Sequence, residues 1–207
     1  LLEDICAVDG QFNVRFMTSN PKDVSRRLID VIADQPKIMK QFHLPLQSGS
    51  DRILSAMNRH YTAGQYRDTV GYMRFRMPDI ALSTDIIVGF PTETEDDFEE
   101  TLKMLEDIRF DSIFSFIYSK RKGTRAAQMD GQIPEDIKGQ RFERLTAIQN
   151  HISYEKNQEY VGKTVDVLVE GRSKTDDKRL TGRNEKGRLI HFIGSDDLIG
   201  TIKSVKV

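Results

Sequence analysis

Three short polar loops, each containing a glycine, hold the residues of this sequence that are best suited to chemistry. Their sequences are QSGS, GFPTET and YSKRKGT. In the first loop, Gln47, Ser48 and Ser50 surround Gly49. This loop either binds the hydroxyl or carboxylate groups of a ligand or is a plain strand-to-helix turn with Ser50 as the helix cap. In the second loop, Gly89 permits an unusual backbone angle or the close approach of a ligand.

The second loop continues into a run of acids, TETEDD. Thr92 or Thr94 can cap a helix there, with Glu95 or Asp97 completing a capping box, and the acids suit the positive end of the helix dipole. They disfavour an anionic ligand and tolerate a cationic one such as a sulfonium nucleoside. Asp85 lies in the apolar run before the loop, where a carboxylate is costly unless it is paired. A satisfied core carboxylate and a ligand contact are equally good interpretations of Asp85.

Basic residues form two clusters in a protein whose formal net charge is only -1. The loop YSKRKGTRA holds four of them, and the segment from Arg172 to Arg188 holds seven against three acids. Such clusters are either solvated surface or sites for salt-sensitive, sequence-independent phosphate contacts. His191 and Phe192 are able to stack on a base, although Phe192 is more typical of a core.

Other signatures of chemistry are missing from the sequence. It contains no G-x-S-x-G nucleophile, no Walker loop and no G-x-G-x-x-G. The single cysteine, Cys6, excludes an internal disulfide framework and a multi-thiolate metal site. His43 lies in a predicted strand and is more typical of a satisfied interior histidine than of a metal ligand. No run reaches the roughly 18–20 apolar residues of a membrane span. We therefore expect no metal ligands, no residue that carries a chemical step, no membrane partner and a cytoplasmic protein.

The elements that position the loops alternate between strand and helix. The pattern predicts strands at Phe12–Ser19, Gln41–Ser48, Ala81–Phe90 and Asp111–Ser119, each followed by a helix. This order predicts an α/β fold with a parallel sheet, either an open doubly wound sheet or a barrel of βα repeats. In both architectures sites lie at the carboxyl ends of the strands, so the three loops should share one rim.

The pattern changes at about Val161. Short alternating strands separated by glycine and charged turns predict a small all-β barrel of about 45 residues. We place the boundary between residues 1–155 and 156–207. The sequence starts without Met, and Leu1, Leu2 and Ile5 have the spacing of one helical face. We therefore expect the chain to be a fragment of a longer polypeptide.

Strings along nearly the whole chain resemble the radical S-adenosylmethionine (SAM) methylthiotransferases. They are RFMTSNPKD, FHLPLQSGSDRILSAMNRHYT, STDIIVGFPTETEDDF, FIYSKRKGTRAA, QNHISYEKNQEYVGKTVDVLVEG and LTGRNEKGRLIHF. The resemblance implies the second half of a radical-SAM TIM-like βα partial barrel, followed by a small RNA-binding TRAM β-barrel. The pattern LxGR followed by HF is more similar to the tRNA-modifying branch than to the branch that modifies a ribosomal-protein aspartate.

The resemblance implies addition of a methylthio group to C2 of an isopentenylated adenosine beside the tRNA anticodon. One [4Fe–4S] cluster would cleave S-adenosyl-L-methionine to a 5′-deoxyadenosyl radical, and an auxiliary [4Fe–4S] cluster would deliver the sulfur. The CxxxCxxC triad is absent, so both clusters would be bound by cysteines outside this chain, and the fragment alone should be inactive. The implied partners are the tRNA anticodon stem-loop and sulfur or iron–sulfur donors. The alternatives are a ribosomal-protein methylthiotransferase and a non-catalytic RNA-binding module.

By position, the resemblance implies two sets of site residues. The SAM contacts are Gln47, Ser48, Gly49, Asp85, Ile87, Gly89, Tyr118 and Ser119. The candidate RNA contacts are Lys120, Arg121, Arg172, Lys174, Arg183, Arg188 and His191. Thr92 stands where the family usually has Gly, and Lys120 and Lys122 stand where it commonly has Pro, so the contacts of these loops should differ in detail.

Overall fold

The computed structural model describes residues 1–17 and 20–207. From β1 to α7 its elements follow the alternating order that the sequence predicts. They are α1 (Leu2–Cys6), α2 (Arg26–Asp34), β1 (Gln41–His43), α3 (Asp51–Ala56), α4 (Ala63–Arg76), β2 (Ala81–Val88), α5 (Glu95–Ile108), β3 (Ser112–Ile117), α6 (Arg125–Gln128), α7 (Glu135–Gln158), β4 (Thr164–Arg172), β5 (Arg179–Arg183), β6 (Leu189–Ile193) and β7 (Ile202–Lys206).

The first three strands form a parallel sheet in the order β1-β2-β3. Burial along β2 alternates: Thr84, Ile86 and Val88 are buried, while Ser83, Asp85 and Ile87 are half-buried. The buried face packs with the apolar stripes of the helices, and Tyr66, Phe98, Phe110 and Leu145 are among the residues at the centre of this core. The predicted α/β fold is therefore confirmed, and the other face of the sheet remains partly open.

The prediction of a strand at Phe12–Ser19 is wrong for its described part. Residues 12–17 alternate in burial, but only Val14 forms a bridge, with Ile38. The Gln41 N–H donates to the Met39 carbonyl at 2.9 Å, so this local turn uses the donor and the acceptor that the next rung of the ladder requires. Residues 18 and 19 of the predicted strand lie outside the described part.

The strand predicted at Gln41–Ser48 is shorter than expected. β1 ends at His43, and pairing returns only at a bridge between Gln47 and Ile86. Pro45 has no N–H to donate, and the Leu46 N–H donates to the Thr84 hydroxyl at 2.8 Å instead of to a strand carbonyl. The first loop is consequently held to β2 by isolated hydrogen bonds and not by a continuous strand pairing.

The last four strands form an antiparallel sheet in the order β6-β5-β4-β7. β4 carries an irregularity between Val169 and Gly171, where its register with β5 shifts. Val167, Val169 and Leu180 are buried. The sheet follows α7, whose last residue is Gln158. Within residues 1–17 and 20–207, no helix combines the length and the apolarity that crossing a bilayer requires.

Candidate functional site

The loop after β1 is held between β2 and α5. The Gln47 N–H donates to the Asp85 carbonyl at 2.8 Å, and the Ile87 N–H donates to the Gln47 carbonyl at 3.0 Å. Gln47 itself has a φ of 72°, which is uncommon for a residue with a side chain. Three predicted SAM contacts therefore lie side by side, with Gln47 next to Asp85 and Ile87 in the second half of β2.

Ser48 and Gly49 face α5. The Ser48 hydroxyl lies 3.3 Å from the Thr101 hydroxyl, which also accepts a hydrogen bond from the Gly49 N–H at 2.9 Å. A Cβ on Gly49 would lie 2.5 Å from the Glu100 carbonyl oxygen and 2.6 Å from the Thr101 Cα. The absence of a side chain at Gly49 is thus required by close helix packing.

Asp97 ties the first loop to the start of α5. Its carboxylate accepts from the Ser50 hydroxyl at 2.6 Å, from Arg52, and from both the N–H and the hydroxyl of Thr94. Burial opposes the charged form, but the hydrogen bonds from Arg52, Ser50 and Thr94 outweigh it and hold the pKa of Asp97 well below its usual range. The Thr94–Asp97 capping box is confirmed. Ser50 precedes α3 as predicted, but its hydroxyl serves Asp97 and does not cap the helix.

The second loop is supported by a buried ion pair that the sequence analysis missed. The Gly89 N–H donates to Glu93 Oε2 at 2.8 Å, and Arg141 Nη1 donates to the same oxygen at 2.8 Å and to the Glu93 carbonyl at 3.1 Å. The side chains of Glu93 and Arg141 are 1% and 7% exposed. Burial raises the pKa of Glu93, while the Gly89 N–H and Arg141 oppose the rise.

Gly89 has a φ of 74°, as its predicted unusual backbone angle requires. The space where its side chain would lie is filled by the aliphatic part of Lys138, whose ammonium donates to the Tyr118 carbonyl at 3.1 Å. Lys138 and Arg141 precede Leu145 and Ile152 on the buried stripe of α7. The helical spacing of that stripe, continued towards the start of α7, places both positions on the buried face. Their charged side chains gave no sign of burial in the sequence.

The open face of the sheet carries a polar pair beside aromatic rings. His43 Nδ1 lies 3.0 Å from the Ser83 hydroxyl, and His43 Nε2 lies 3.5 Å from Asp85 Oδ1. The His43 ring packs edge-on against Phe114 with a centroid separation of 5.6 Å. Phe114 and Phe116 are 48% and 53% exposed. His43 is therefore a partnered histidine, and the half-buried Asp85 carboxylate faces the same open surface.

Tyr118 follows β3 at the carboxyl end of the parallel sheet, where its N–H donates to the Val88 carbonyl. Its ring packs edge-on against Phe90 at 5.4 Å, and the Lys138 ammonium lies 5.6 Å from the ring centroid. The hydroxyl of Tyr118 is buried and has no hydrogen-bond partner among the described residues. A buried unsatisfied hydroxyl costs about 1–3 kcal/mol, so this atom is suited to a polar group of a ligand. Ser119, Lys120 and Arg121 are exposed in the loop that follows.

The basic residues of the antiparallel sheet differ in their surroundings. Arg172 pairs with Asp196, and Arg183 pairs with Glu170, both at the surface. Lys174 and His191 are exposed. Arg188 is only 22% exposed, and its Nη2 lies 3.5 Å from Asp111 Oδ1 of the parallel-sheet module. Arg188 therefore lies at the junction between the two sheets.

Comparison with known proteins decides the family. Residues 2–105 match the model described as the radical SAM superfamily. The chain belongs to the radical SAM superfamily. Residues 158–207 match the TRAM domain, so this radical SAM chain combines the two expected modules.

Three relatives of this radical SAM chain share one name, tRNA-2-methylthio-N(6)-dimethylallyladenosine synthase. The chain is 52% identical over all 207 residues to the protein of Clostridium botulinum strain Okra, 51% to that of Alkaliphilus oremlandii and 50% to that of Clostridium novyi. It spans 46%, 44% and 46% of the lengths of these relatives, respectively.

A solved radical SAM structure has a similar fold. Coproporphyrinogen III oxidase from Escherichia coli aligns with a TM-score of 0.54 at 13% identity, covering 80% of this chain and 45% of that one. At this identity the likeness concerns the fold alone.

The residues present do not fit an iron–sulfur cluster. Such clusters are held by several cysteine thiolates, and the only cysteine in the sequence, Cys6, is buried in the helical core. Across residues 1–17 and 20–207, no group of three or more His, Cys, Asp or Glu side chains is arranged to hold a metal ion. The open face does fit a nucleoside, because it offers exposed aromatic rings, the Asp85 carboxylate and, at its edge, the unsatisfied hydroxyl of Tyr118.

Proposed function

We propose that this chain is part of a tRNA methylthiotransferase that modifies C2 of N6-dimethylallyladenosine beside the anticodon. The observation that carries the proposal is 50–52% identity over the whole chain, across both modules, to proteins named for that product. The proposed cofactors of the whole protein are S-adenosyl-L-methionine and two [4Fe–4S] clusters, the clusters being bound by cysteines outside this chain. The proposed partners are the tRNA anticodon stem-loop and sulfur or iron–sulfur donors.

Bound SAM would supply radical activation of the C2–H bond of the substrate base. The residues of this chain would bind and orient the SAM molecule. We propose direct contacts from Gln47, Asp85, Ile87 and the strand-end residues Gly89, Tyr118 and Ser119. The Asp85 carboxylate complements a sulfonium or ammonium group, and the exposed rings beside it suit an adenine. Ser48 and Gly49, which are bonded to Thr101, would set the shape of the loop.

The Tyr118 hydroxyl gives a test of SAM binding that does not depend on turnover. Tyr118→Phe removes a buried hydroxyl without a partner, so it should leave the ligand-free chain as stable or more stable, while weakening SAM affinity in the reconstituted whole protein. Tyr61→Phe is the matched control, because the Tyr61 hydroxyl donates to the Leu46 carbonyl at 2.9 Å. It should destabilise the chain by about 0.5–1.5 kcal/mol. Unchanged SAM affinity in Tyr118→Phe would remove this residue from the proposed site.

Lys120, Arg121, Arg172, Lys174, Arg183 and His191 supply the proposed RNA surface. The surface pairs of Arg172 and Arg183 cost little to break, so a phosphate oxygen can replace the carboxylate. Arg188 Nη2 lies at ion-pair distance from Asp111, without a hydrogen bond to any described residue, and we place Arg188 at the periphery of this surface.

Binding to an anticodon stem-loop tests the RNA surface. Fluorescence anisotropy gives the association constant K for the stem-loop at about 50 to 200 mM salt, the range in which phosphate contacts weaken steeply. Log K should fall linearly with the logarithm of the salt concentration. Lys174→Ala and Arg121→Ala should each reduce the magnitude of that slope by about 0.7–0.9, whereas Lys103→Ala on the exposed side of α5 should not. Salt-insensitive binding, or stronger binding to a ribosomal-protein peptide, would favour the protein-modifying alternative.

A further inference from the structure

The turn between β5 and β6 of the TRAM domain, Asn184–Arg188, has a fixed shape. Asn184 is buried, and its Oδ1 accepts from the Lys186 N–H at 3.1 Å and from the Arg188 N–H at 2.9 Å. The Gly187 N–H donates to the Asn184 carbonyl at 2.9 Å. We call this segment the docking turn. Its side chains project from a backbone that is held without help from the other module.

The docking turn meets the amino ends of β1 and β3. Arg188 Nη2 lies 3.5 Å from Asp111 Oδ1, and Asp111 directly precedes β3. The other oxygen of Asp111 accepts from Lys156 Nζ at 3.1 Å and from the Leu82 N–H at 2.9 Å. Asp111 is thus fixed by the parallel-sheet module and offers its free oxygen to the TRAM domain.

A second contact lies at β1. The space where a Gly187 side chain would lie is occupied by the amide oxygen of Gln41, the first residue of β1. Gly187 also has a φ of 74°, so a side chain here would be strained and would have to displace the end of the Gln41 side chain.

The contact is small and polar, and it adjoins a cavity of about 660 Å³ lined by both modules. His43 and Phe114 line it from the sheet, and His191 and Val207 line it from the TRAM domain. With so open a junction, relative motion of the modules is the default expectation unless specific contacts prevent it. The specific contacts here come from Gly187 and Arg188.

We propose that the docking turn fixes the orientation of the TRAM domain on the amino edge of the parallel sheet. Its positioning residues are Gly187 and Arg188, and their partners are Gln41 and Asp111. The consequence for RNA rests on the proposed function: a TRAM domain held in one orientation presents its bound tRNA at one distance from the strand ends. The docking itself is independent of that function.

Distances between spin labels test the docking directly. In a Cys6→Ala background of the 207-residue chain, Lys103→Cys on α5 and Lys178→Cys in the TRAM domain provide the labelling sites. Pulsed electron paramagnetic resonance then gives the distance distribution without RNA. The starting protein should give one narrow distribution. Gly187→Leu and Arg188→Glu should each shift it or widen it at least about twofold, as expected for a released module.

Matched controls separate docking from local strain and from charge. Gly200→Leu also places a side chain at a positive φ (83°) in the TRAM domain, but the space beside Gly200 is open. Lys203→Glu reverses an exposed charge on β7. Both should keep the narrow distribution, and Gln41→Ala added to Gly187→Leu should restore it in part by removing the obstructing amide.

Distributions for Gly187→Leu and Arg188→Glu that match those of their controls would overturn the proposal. Circular dichroism on each variant shows whether the TRAM strands remain folded, and a variant that loses them is replaced by the milder Arg188→Gln. Stem-loop affinity is measured separately: absent RNA binding by the docked starting protein would contradict the proposed function and leave the docking intact.

Discussion

Arg141 in α7 and Arg183 in the TRAM domain each pair with a glutamate, but their surroundings are opposite. The Arg141–Glu93 pair is almost fully buried and also bonds the backbone of the loop after β2. The Arg183–Glu170 pair is about a third exposed on each side. A buried pair fixes the loop that it touches, because each charge needs the other. A surface pair leaves its arginine available to another anion.

Removing the buried arginine should produce the largest effect. Arg141→Met keeps much of the side-chain volume but leaves Glu93 buried without its partner, and it should lower the free energy of unfolding by about 3–5 kcal/mol in denaturant melts. Arg144→Met is the matched control, because Arg144 also lies over the Phe98 ring and pairs with exposed glutamates. The control should cost about 0–1 kcal/mol. Equal losses in the two variants would contradict the contrast between the regions.

Asp97 should make stability depend on pH at the acidic end. Because its folded pKa is lowered, its contribution is complete above the unfolded value of about 4 and is lost as pH falls through the folded pKa. Asp97→Asn should lower the free energy of unfolding at pH 7 by about 1.5–3 kcal/mol. The difference from the starting protein should shrink below about pH 4. Exposed Asp96→Asn is the control, and a pH-independent difference for Asp97→Asn would refute the assignment.

Gly49 tests how tightly the first loop is packed. Gly49→Ala places a methyl group against the backbone of α5 and should lower the free energy of unfolding by about 1–3 kcal/mol. Gly139→Ala, within α7, meets no atom within 4 Å and should stabilise the chain by up to about 1 kcal/mol. The melting temperatures of the two alanine variants should therefore shift in opposite directions. Shifts in the same direction would mean that the loop after β1 moves away from α5 to accommodate the methyl group.

The surface pair should show the smallest effect on stability. Arg183→Ala should change the free energy of unfolding by less than about 1 kcal/mol while weakening stem-loop binding at low salt. Glu170→Ala should strengthen that binding, because it frees the same arginine. Stem-loop titrations of both variants show whether the affinity rises or falls. Weaker binding by Glu170→Ala would mean that the Arg183–Glu170 pair supports the fold of the binding surface and does not compete with RNA.

Local chemistry predicted the elements whose signals lie close together in the sequence. β2 followed from an apolar run, and α5 followed from the Thr94–Asp97 capping box and its apolar stripe. The first predicted strand ends after one bridge because the Met39 carbonyl and the Gln41 N–H, which it would pair with next, bond to each other, and no residue pattern shows this.

The candidate site was predictable in its position but not in its support. The three loops share an edge through Gln47, Gly89 and Tyr118, as parallel topology requires. The partners that fix them come from Thr101 and from Lys138 and Arg141 of α7, far along the chain. Arg188 has the sequence character of an RNA contact, and only the packing of one module on the other places it beside Asp111.

The most direct test of the proposed function is nucleoside analysis of tRNA. The whole protein is expressed in a bacterial strain that makes N6-dimethylallyladenosine but lacks its own methylthiotransferase, and digested tRNA is measured by mass spectrometry. We predict that the 2-methylthio form of that nucleoside appears. Continued accumulation of the unmodified nucleoside, with the whole protein present and its clusters loaded, would contradict the proposed function.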